Sequence, residues 1–281
     1  MLSYRHAFHA GNHADVLKHF VELQLLNYLN QKDKPYWMID THAGAGMYAL
    51  DEGYAVKNAE FMSGITRLMA RDDLPLPLAE YVALVRGLNP QGRLRLYPGS
   101  PWIAMQALRP QDQLRLFELH PADHKLLCDN FSSAGRKVKI EATDGFAGLK
   151  ALLPPAPRRA LVLIDPPYEE KQDYQRVPAA LKEALIRFEN GIYAIWYPLL
   201  QRHESQHFAE NLKRLPSKSW LHVNLTVTTP SADGFGMHGS GMFIINPPWT
   251  LKGTLKAVMP YLVEVLGQNA GATFKLESHE A

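Results

Sequence analysis

The clearest candidate for chemistry is the tetrapeptide Asp165-Pro166-Pro167-Tyr168, which follows a short apolar run. Consecutive prolines cannot continue a sheet, and they hold the backbone rigid without N–H donors. With the Asp165 carboxylate, the carbonyls of this turn, including that of Pro166, form an acceptor array for a planar amino group. The ring of Tyr168 offers a surface on which a nucleobase can stack. Such an array could orient an amine lone pair towards a methyl sulfonium; the alternative is a proline-rich turn capped by aspartate.

Three further candidates follow other short apolar runs of the sequence. Gly44 lies in the small-residue turn 43–46, which is either a tight turn or a loop that a cofactor approaches closely, because glycine lacks a Cβ atom. The carboxylate of Glu118 could accept two hydrogen bonds from ribose hydroxyls. Asp144 could accept a hydrogen bond from an adenine amino group, or it could cap the helix that follows it.

The N-terminal segment is rich in basic and aromatic side chains. We interpret it as an arm that contacts phosphates or bases, and its candidate residues are Tyr4, Arg5, His6, His9 and Lys18. A metal site is the competing interpretation, since four histidines are close in sequence. Their spacing matches no standard finger pattern and no cysteine accompanies them, so we expect no metal.

Short, apolar, β-rich runs alternate with helical patterns and position these candidates. They span residues 36–40, 114–118, 138–142, 160–165 and 191–198. This alternation predicts an α/β fold with a parallel sheet of βα units. Because ligands of such sheets bind beyond the carboxyl ends of the strands, we expect the candidate residues to meet at one edge.

The first two strands are separated by far more chain than a βαβ unit needs. Helical patterns broken by prolines fill the gap, so residues 48–97 are interpreted as an inserted helical subdomain on a core of residues 1–47 and 98–281. An N-cap at Asn12, with Asp15 three residues later, predicts the start of the first helix.

The last third of the chain has a different pattern. Residues 220–229 and 241–249 are predicted strands around a glycine-rich loop, Ser231–Gly241, and a helix is predicted over about 252–266. Asn246-Pro247-Pro248-Trp249 superficially repeats the first motif. Because it follows a probable antiparallel strand, we interpret it as a strand-terminating turn.

Composition restricts the class of protein. The chain has 281 residues, a formal charge of +2 and one cysteine, so no intrachain disulfide can form, as expected in a reducing cytoplasm. The N-terminus lacks the apolar segment of a signal peptide, and no stretch approaches the roughly 20 apolar residues of a membrane span. The charge is too small to demand or exclude a nucleic-acid partner.

Together these residues resemble the class I methyltransferases of the DPPY type, and nearly the whole chain resembles the RlmJ family, which methylates the N6 amine of adenine in 23S ribosomal RNA. The blocks that carry the resemblance are residues 2–19, 40–46, 97–101, 118–121, 144–146, 164–169, 191–198 and 240–249. The resemblance implies a Rossmann-like class I methyltransferase sheet with an inserted helical subdomain. It also implies S-adenosyl-L-methionine as cofactor and 23S ribosomal RNA, before full subunit assembly, as partner.

The resemblance also implies roles for individual residues. Asp165 would be catalytic as well as a cofactor contact, and Tyr4 would contact the substrate. The other implied cofactor contacts are His19, His42, Ser100, Glu118, Asp144 and Gly145. We therefore expect a cytoplasmic, metal-free, monomeric enzyme in which a flipped-out adenine stacks on Tyr168 and donates from its amine to Asp165 and Pro166.

Two alternatives stay open from the sequence. One is an amino-methyltransferase that acts on adenine or cytosine in DNA, because the tetrapeptide Asp165-Pro166-Pro167-Tyr168 does not distinguish these substrates. The other is a non-catalytic nucleic-acid-binding protein used in the utilisation of external DNA. A metal-dependent hydrolase is more remote, since the sequence offers no compact set of metal ligands.

Overall fold

The computed structural model describes residues 5–51 and 53–280. Its strands are β1 Trp37–Asp40, β2 Met47–Ala49, β3 Leu96–Pro98, β4 Gln113–Phe117, β5 Val138–Glu141, β6 Ala160–Ile164, β7 Ile192–Leu199, β8 Ser219–Thr226, β9 Gly239–Ile245 and β10 Thr273–Glu280. Its α-helices are α1 His13–Asn30, α2 Gly53–Asn58, α3 Ile65–Met69, α4 Leu76–Leu88, α5 Ser100–Ala107, α6 Pro121–Asn130, α7 Gly145–Leu152, α8 Asp173–Arg187, α9 His203–Lys213 and α10 Trp249–Leu266. Short 3₁₀ helices span His6–Phe8, Glu60–Ser63 and Gly135–Lys137.

One eight-stranded sheet organises the protein, in the order β10-β8-β9-β7-β6-β1-β4-β5. Strand β1 is central, and Trp37 pairs in parallel with Gln113 of β4 on one side and with Ala160 of β6 on the other. The chain moves outward from β1 to β4 and β5, then returns to β6. The strand order therefore reverses at β1 and β6, where ligands bind in open α/β sheets. The predicted α/β class and the five parallel strands are confirmed.

The other half of the sheet is antiparallel. Strand β9 pairs with both β7 and β8, and β8 pairs with β10. The two late strands and the final helix were predicted, whereas β10 was not. The turn Asn246–Pro248 follows β9 and leads into α10, which confirms a strand-terminating turn. Because Ile245 pairs with Tyr193 at the start of β7, this turn lies at the edge opposite to Asp165.

The segment between β1 and β4 contains the predicted helices. Strands β2 and β3 pair antiparallel and bracket α2, α3 and α4. Buried side chains of this segment, such as Ile65 and Val82, join the same apolar core as the rest of the chain. The division into a core and an inserted subdomain of residues 48–97 stays a prediction.

Helix α1 crosses the middle of the molecule and packs against α5, α4 and β9. The Asn12 side chain accepts hydrogen bonds from the backbone N–H groups of Ala14 and Asp15, which confirms the predicted N-cap. Most of the helix is buried, including the polar residues Asp15, Lys18 and His19. Within the part of the chain that is described, no helix is both long and apolar enough to span a membrane.

Candidate active site

A cavity of about 310 Å³ opens at the carboxyl edge of the parallel strands, at the lower end of the range for small-molecule sites, roughly 300–1,000 Å³. It brings together most of the residues singled out in the sequence: His6, Lys18, His19, His42, Gly44, Ser100, Glu118, Asp144, Gly145, Asp165 and Pro166. Tyr4 lies outside the described residues. The expectation that the strand ends converge is confirmed.

The turn after β1 forms one wall of the cavity. Gly44 has φ of +61°, and a Cβ atom there would lie 2.3 Å from the Tyr48 hydroxyl, so this turn requires glycine. The Gly44 N–H donates to Glu118 Oε2 at 2.8 Å, and the His120 N–H donates to Oε1 at 2.6 Å. Burial nevertheless raises the pKa of Glu118. Both carboxylate oxygens are thereby fixed at the end of β4, where each keeps a further lone pair for a ligand hydroxyl.

Asp40, at the end of β1, is a site residue that the sequence analysis did not assign. It is fully buried, and it accepts hydrogen bonds from the Ser100 hydroxyl at 2.6 Å and the His42 N–H at 3.1 Å. Burial raises the pKa of Asp40 to about 6, against the opposing effect of these two hydrogen bonds. Burial also lowers the pKa of His42 to about 4. Asp40 therefore holds two cavity residues, Ser100 and a neutral His42, in place.

Asp144 caps helix α7 and also lines the cavity, whereas its contact with an adenine amino group stays a prediction. Its Oδ1 accepts from the N–H groups of Phe146 and Ala147 at the start of α7, which confirms the N-cap. Its other oxygen binds Arg176 of α8, another cavity residue that we had not singled out. Burial opposes ionisation, but these hydrogen bonds lower the pKa of Asp144. The carboxylate is ionised at the cavity wall.

Gly145 allows this wall to approach the turn after β1. A Cβ atom at residue 145 would lie 2.0 Å from the carbonyl oxygen of Thr41, which is far inside van der Waals contact. The backbone conformation of Gly145 is itself ordinary, because its φ lies outside the left-handed region. The absence of a side chain, rather than conformational freedom, is what the packing of α7 requires.

Asp165 sits at the end of β6 beside a buried cation. Lys18 Nζ donates to Asp165 Oδ2 at 2.6 Å and lies 3.1 Å from Asp15 Oδ1. Asp15 Oδ2 also pairs with His6 Nε2 at 2.9 Å. Burial raises the pKa of Asp165, and the Lys18 ammonium opposes this rise. Lys18 thus lies in the cavity wall, on the buried face of α1, rather than on an exposed arm.

His19 connects the cavity to the segment between β1 and β4. Its Nδ1 lies 2.8 Å from the Tyr97 hydroxyl, which lies 2.7 Å from the hydroxyl of Tyr81 on α4. Its Nε2 is buried without a hydrogen-bond partner, and burial lowers the pKa of His19 to about 3. A neutral imidazole in a cavity wall with an unsatisfied nitrogen fits a group that contacts a ligand.

The structure corrects the expected role of Tyr168. The ring is fully buried and packs against Tyr174, Trp196 and Phe208. The Tyr168 hydroxyl donates to the Trp196 carbonyl at 2.8 Å. The Arg202 guanidinium donates to the backbone carbonyl of Tyr168 at 2.6 Å. A positive φ of 52° turns the side chain into the core behind the Pro-Pro turn. Tyr168 therefore supports the turn from behind and presents no face for a base to stack on.

The basic residues of the N-terminal segment have acidic partners within the protein. Arg5 pairs with Asp123 at 3.0 Å beside the cavity, and His9 lies 2.9 Å from Glu60 in the segment between β1 and β4. Their expected contacts with RNA stay a prediction. Within the described ranges, no group of three or more histidine, cysteine or carboxylate side chains could hold a metal ion.

The cavity has the composition expected for a cationic ligand. Its wall includes more acidic than basic side chains; the acidic ones are Glu118, Asp123, Asp144, Asp165, Glu169, Glu170 and Asp173. Asp123 and Asp173 were not singled out in the sequence, although both lie in the first turn of helices that follow predicted strands. Their position after a strand end is the signal that could have found them.

Comparisons with known proteins identify the family of the chain. A family model described as "Ribosomal RNA large subunit methyltransferase D, RlmJ" matches residues 33–277. Two similar proteins are both named ribosomal RNA large subunit methyltransferase J. The one from Escherichia coli is 48% identical over 262 residues, which cover 93% of this chain and 93% of that protein. The one from Haemophilus influenzae is 45% identical over 278 residues, or 99% and 98%.

A solved structure shows the same overall architecture. The crystal structure of a Legionella pneumophila protein superposes with a TM-score of 0.89 at 37% identity. The match covers 96% of this chain and 98% of that one. The fold, including the segment between β1 and β4, is therefore shared along almost the full length.

Proposed function

Because the chain belongs to the RlmJ family of ribosomal RNA large subunit methyltransferases, we propose that it transfers a methyl group from S-adenosylmethionine to the N6 amine of an adenine in 23S ribosomal RNA. The observation that carries the proposal is the largely buried Asp165 carboxylate, which lines a cavity built from the other strand ends. A planar amine and a methyl donor can meet there.

The cavity residues fit the cofactor. When bound, S-adenosylmethionine supplies an electrophilic methyl group on a cationic sulfur, which suits an acidic wall. Glu118 would hold the ribose hydroxyls and Asp144 the adenine amino group. The remaining contacts would come from His19, His42, Gly44, Ser100 and Gly145. Two features favour a bound ligand. The Nε2 atom of His19 has no hydrogen-bond partner, and the lack of a side chain at Gly145 lets the backbone approach closely.

Asp165 would orient the amine that is methylated. Lys18 occupies Oδ2, so Oδ1 would accept a hydrogen bond from the adenine amine, and the Pro166 carbonyl would accept the other. This arrangement aims the nitrogen lone pair at the methyl group, and most of the rate gain comes from alignment. The nitrogen becomes strongly acidic once methylated, so Oδ1 can accept its proton although the Lys18 ammonium makes Asp165 a weaker base than burial alone would.

The adenine must leave its stack to reach a buried carboxylate. Tyr168 cannot receive the base, because its ring is buried. We therefore propose that the Pro166–Pro167 turn, which Tyr168 supports, provides the rigid surface beside the amine. Pro166 and Pro167 both line the cavity.

The test is methyl transfer to ribosomal RNA from cells that lack the enzyme. We expect the Asp165→Ala variant to lose at least about 100-fold in rate, because the amine is no longer aligned. Asp165→Asn keeps the side-chain volume, and Asp129→Asn, an exposed carboxylate on α6, serves as the matched control. Full activity of Asp165→Ala would refute the assignment.

The target is tested separately from the chemistry. Mass spectrometry of 23S ribosomal RNA, with and without the protein, should show one additional N6-methyladenosine. Labelled transfer into DNA but not RNA would favour the DNA amino-methyltransferase, and calorimetry without cofactor binding would favour a non-catalytic protein.

A further inference from the structure

An exposed aromatic ring stands on the loop between β8 and β9. Phe235 is 79% exposed. Burying a phenylalanine side chain normally stabilises a protein, so a ring held in water is informative when the surrounding structure is ordered. Phe235 lies in the glycine-rich segment Ser231–Gly241 of the sequence, whose last three residues begin β9. Neither the fold nor the proposed function has given a role to the part of this segment that precedes β9.

The loop lies on the same edge of the sheet as Asp165. Gly239, where the loop ends, pairs with Leu199 at the carboxyl end of β7. Strand β7 runs parallel to β6, and Ile195 pairs with Ile164, the last residue of β6. Leu199 lies four positions after Ile195, so β7 extends about 13 Å beyond β6. The loop therefore begins above the rim of the cavity.

The distance to the cavity is one that RNA can span. Strand β9 is two strands away from β6, which adds about 10 Å sideways at about 4.8 Å per strand. The base of the loop is then on the order of 16 Å from the end of β6, which corresponds to a few nucleotides of a single strand. Arg202 lies between the two features, because it follows β7 and donates to the Tyr168 carbonyl.

The loop is held in one shape that turns Phe235 outwards. Asp233 Oδ1 accepts from the Phe235 N–H at 3.0 Å and from the Ser231 hydroxyl at 2.6 Å. Gly234 and Gly236, on either side of the ring, have φ of +82° and +87°, and a Cβ atom at either would meet nothing within 4 Å. These glycines therefore serve the turn itself rather than close packing.

Both ends of the loop are anchored to the rest of the protein. At its first end the Thr229 N–H donates to Asn269 at 3.0 Å, and at its second end the His238 N–H donates to the Leu199 carbonyl at 3.1 Å. The single acidic side chain of the turn, Asp233, uses Oδ1 for the hydrogen bonds within the turn. The loop thus offers one exposed aromatic ring, Phe235, beside an exposed carboxylate.

We propose that Phe235 stacks on an unpaired base of the RNA that flanks the target nucleotide, and so holds the strand while the target base enters the cavity. Stacking on an aromatic ring suits this task because every base has a π-face, so it needs no particular sequence. The inference rests on the proposed function and adds a substrate-binding site outside the cavity.

The experiment compares Phe235→Ala with Phe235→Trp, and uses Trp249→Ala as the matched control. Trp249 is 80% exposed but lies at the opposite edge of the sheet. The probe is 23S ribosomal RNA from cells that lack the enzyme. We expect Phe235→Ala to raise the KM and the Kd for this RNA about 10-fold, with unchanged kcat, melting temperature and cofactor Kd. Phe235→Trp and Trp249→Ala should match the unmodified protein.

Three results would overturn the proposal. They are unchanged RNA binding by Phe235→Ala, an equal loss in Phe235→Trp, or an equal loss in Trp249→Ala. Phe235→Ala could instead bind naked RNA normally and fail to methylate precursor particles that contain protein. That result would assign Phe235 to a protein contact. If the unmodified protein transfers no methyl group to this RNA, the proposed function fails, and the Kd comparison still decides the stacking proposal.

Discussion

Removing the cation beside Asp165 should move the pH dependence of catalysis. Lys18→Met keeps the apolar stem of the side chain and deletes the ammonium, whose Nζ lies 2.6 Å from Asp165 Oδ2. Both side chains are largely buried, 5% and 14% exposed, so solvent screens the pair little. The ammonium favours the ionised carboxylate, and its loss must raise the pKa of Asp165 further.

The size of the shift follows from the geometry. At an effective dielectric constant of about 20, two unit charges 2.6 Å apart attract by roughly 6 kcal/mol. Asp15 shares the same ammonium at 3.1 Å, and the desolvated lysine loses hydration, so only part of this attraction acts on Asp165. A neighbouring cation typically shifts a carboxyl pKa by about 1–3 units, or about 1.4–4 kcal/mol.

The assay is kcat/KM for methyl transfer as a function of pH. An acceptor must be ionised, so activity falls as pH drops through the pKa of Asp165. We expect the acidic limb of the Lys18→Met profile to lie about 1–3 pH units higher, with activity recovered on the alkaline side. Lys18→Arg keeps the charge and should keep the limb in place. A limb that does not move, or an equal loss at every pH, would refute this electrostatic role.

Two further predictions concern the supports of the site. Tyr168→Phe loses the hydrogen bond to the Trp196 carbonyl, so it should lower the free energy of unfolding by about 1 kcal/mol. The rate of methyl transfer should stay within about 2-fold of that of the unmodified protein. Normal stability with lost activity would instead assign Tyr168 a role in catalysis. Gly145→Ala places a Cβ atom 2.0 Å from the Thr41 carbonyl oxygen. It should therefore destabilise the protein by about 1–3 kcal/mol, measured by denaturant titration. It should also weaken cofactor binding, measured by calorimetry. Gly253→Ala, with nothing within 4 Å of the added atom, is its control and should be neutral or stabilising; equal effects at both glycines would contradict the packing reason.

The parts of the site that could be predicted from sequence are local. A strand followed by a polar residue identifies a strand end, and parallel strand ends must share an edge, so Glu118, Asp144 and Asp165 could be placed together. Helix caps at Asn12 and Asp144 depend on residues only two or three positions away. The turn at Asn246 repeats the motif, and the antiparallel strand before it distinguished it from the site.

The parts that could not be predicted depend on distant partners. Tyr168 looks like a stacking platform until Trp196, 28 residues later, is seen to accept its hydroxyl. Lys18 looks like a member of a basic arm until it meets Asp165, 147 residues away. Strand β10 has a sequence with few apolar residues, and only its pairing with β8 makes it a strand.

The burial of α1 has a consequence for the order of biosynthesis. At about 5–20 residues per second, Asp165 is synthesised roughly 7–30 seconds after Lys18, its ion-pair partner 147 positions earlier. The helix also packs on β9, which is made later still. A nascent chain therefore carries a charged helix whose packing partners are missing until nearly all of the protein has left the ribosome. A truncated product would lack the counterpart of its buried lysine, so catalytic competence arrives only with the almost complete polypeptide.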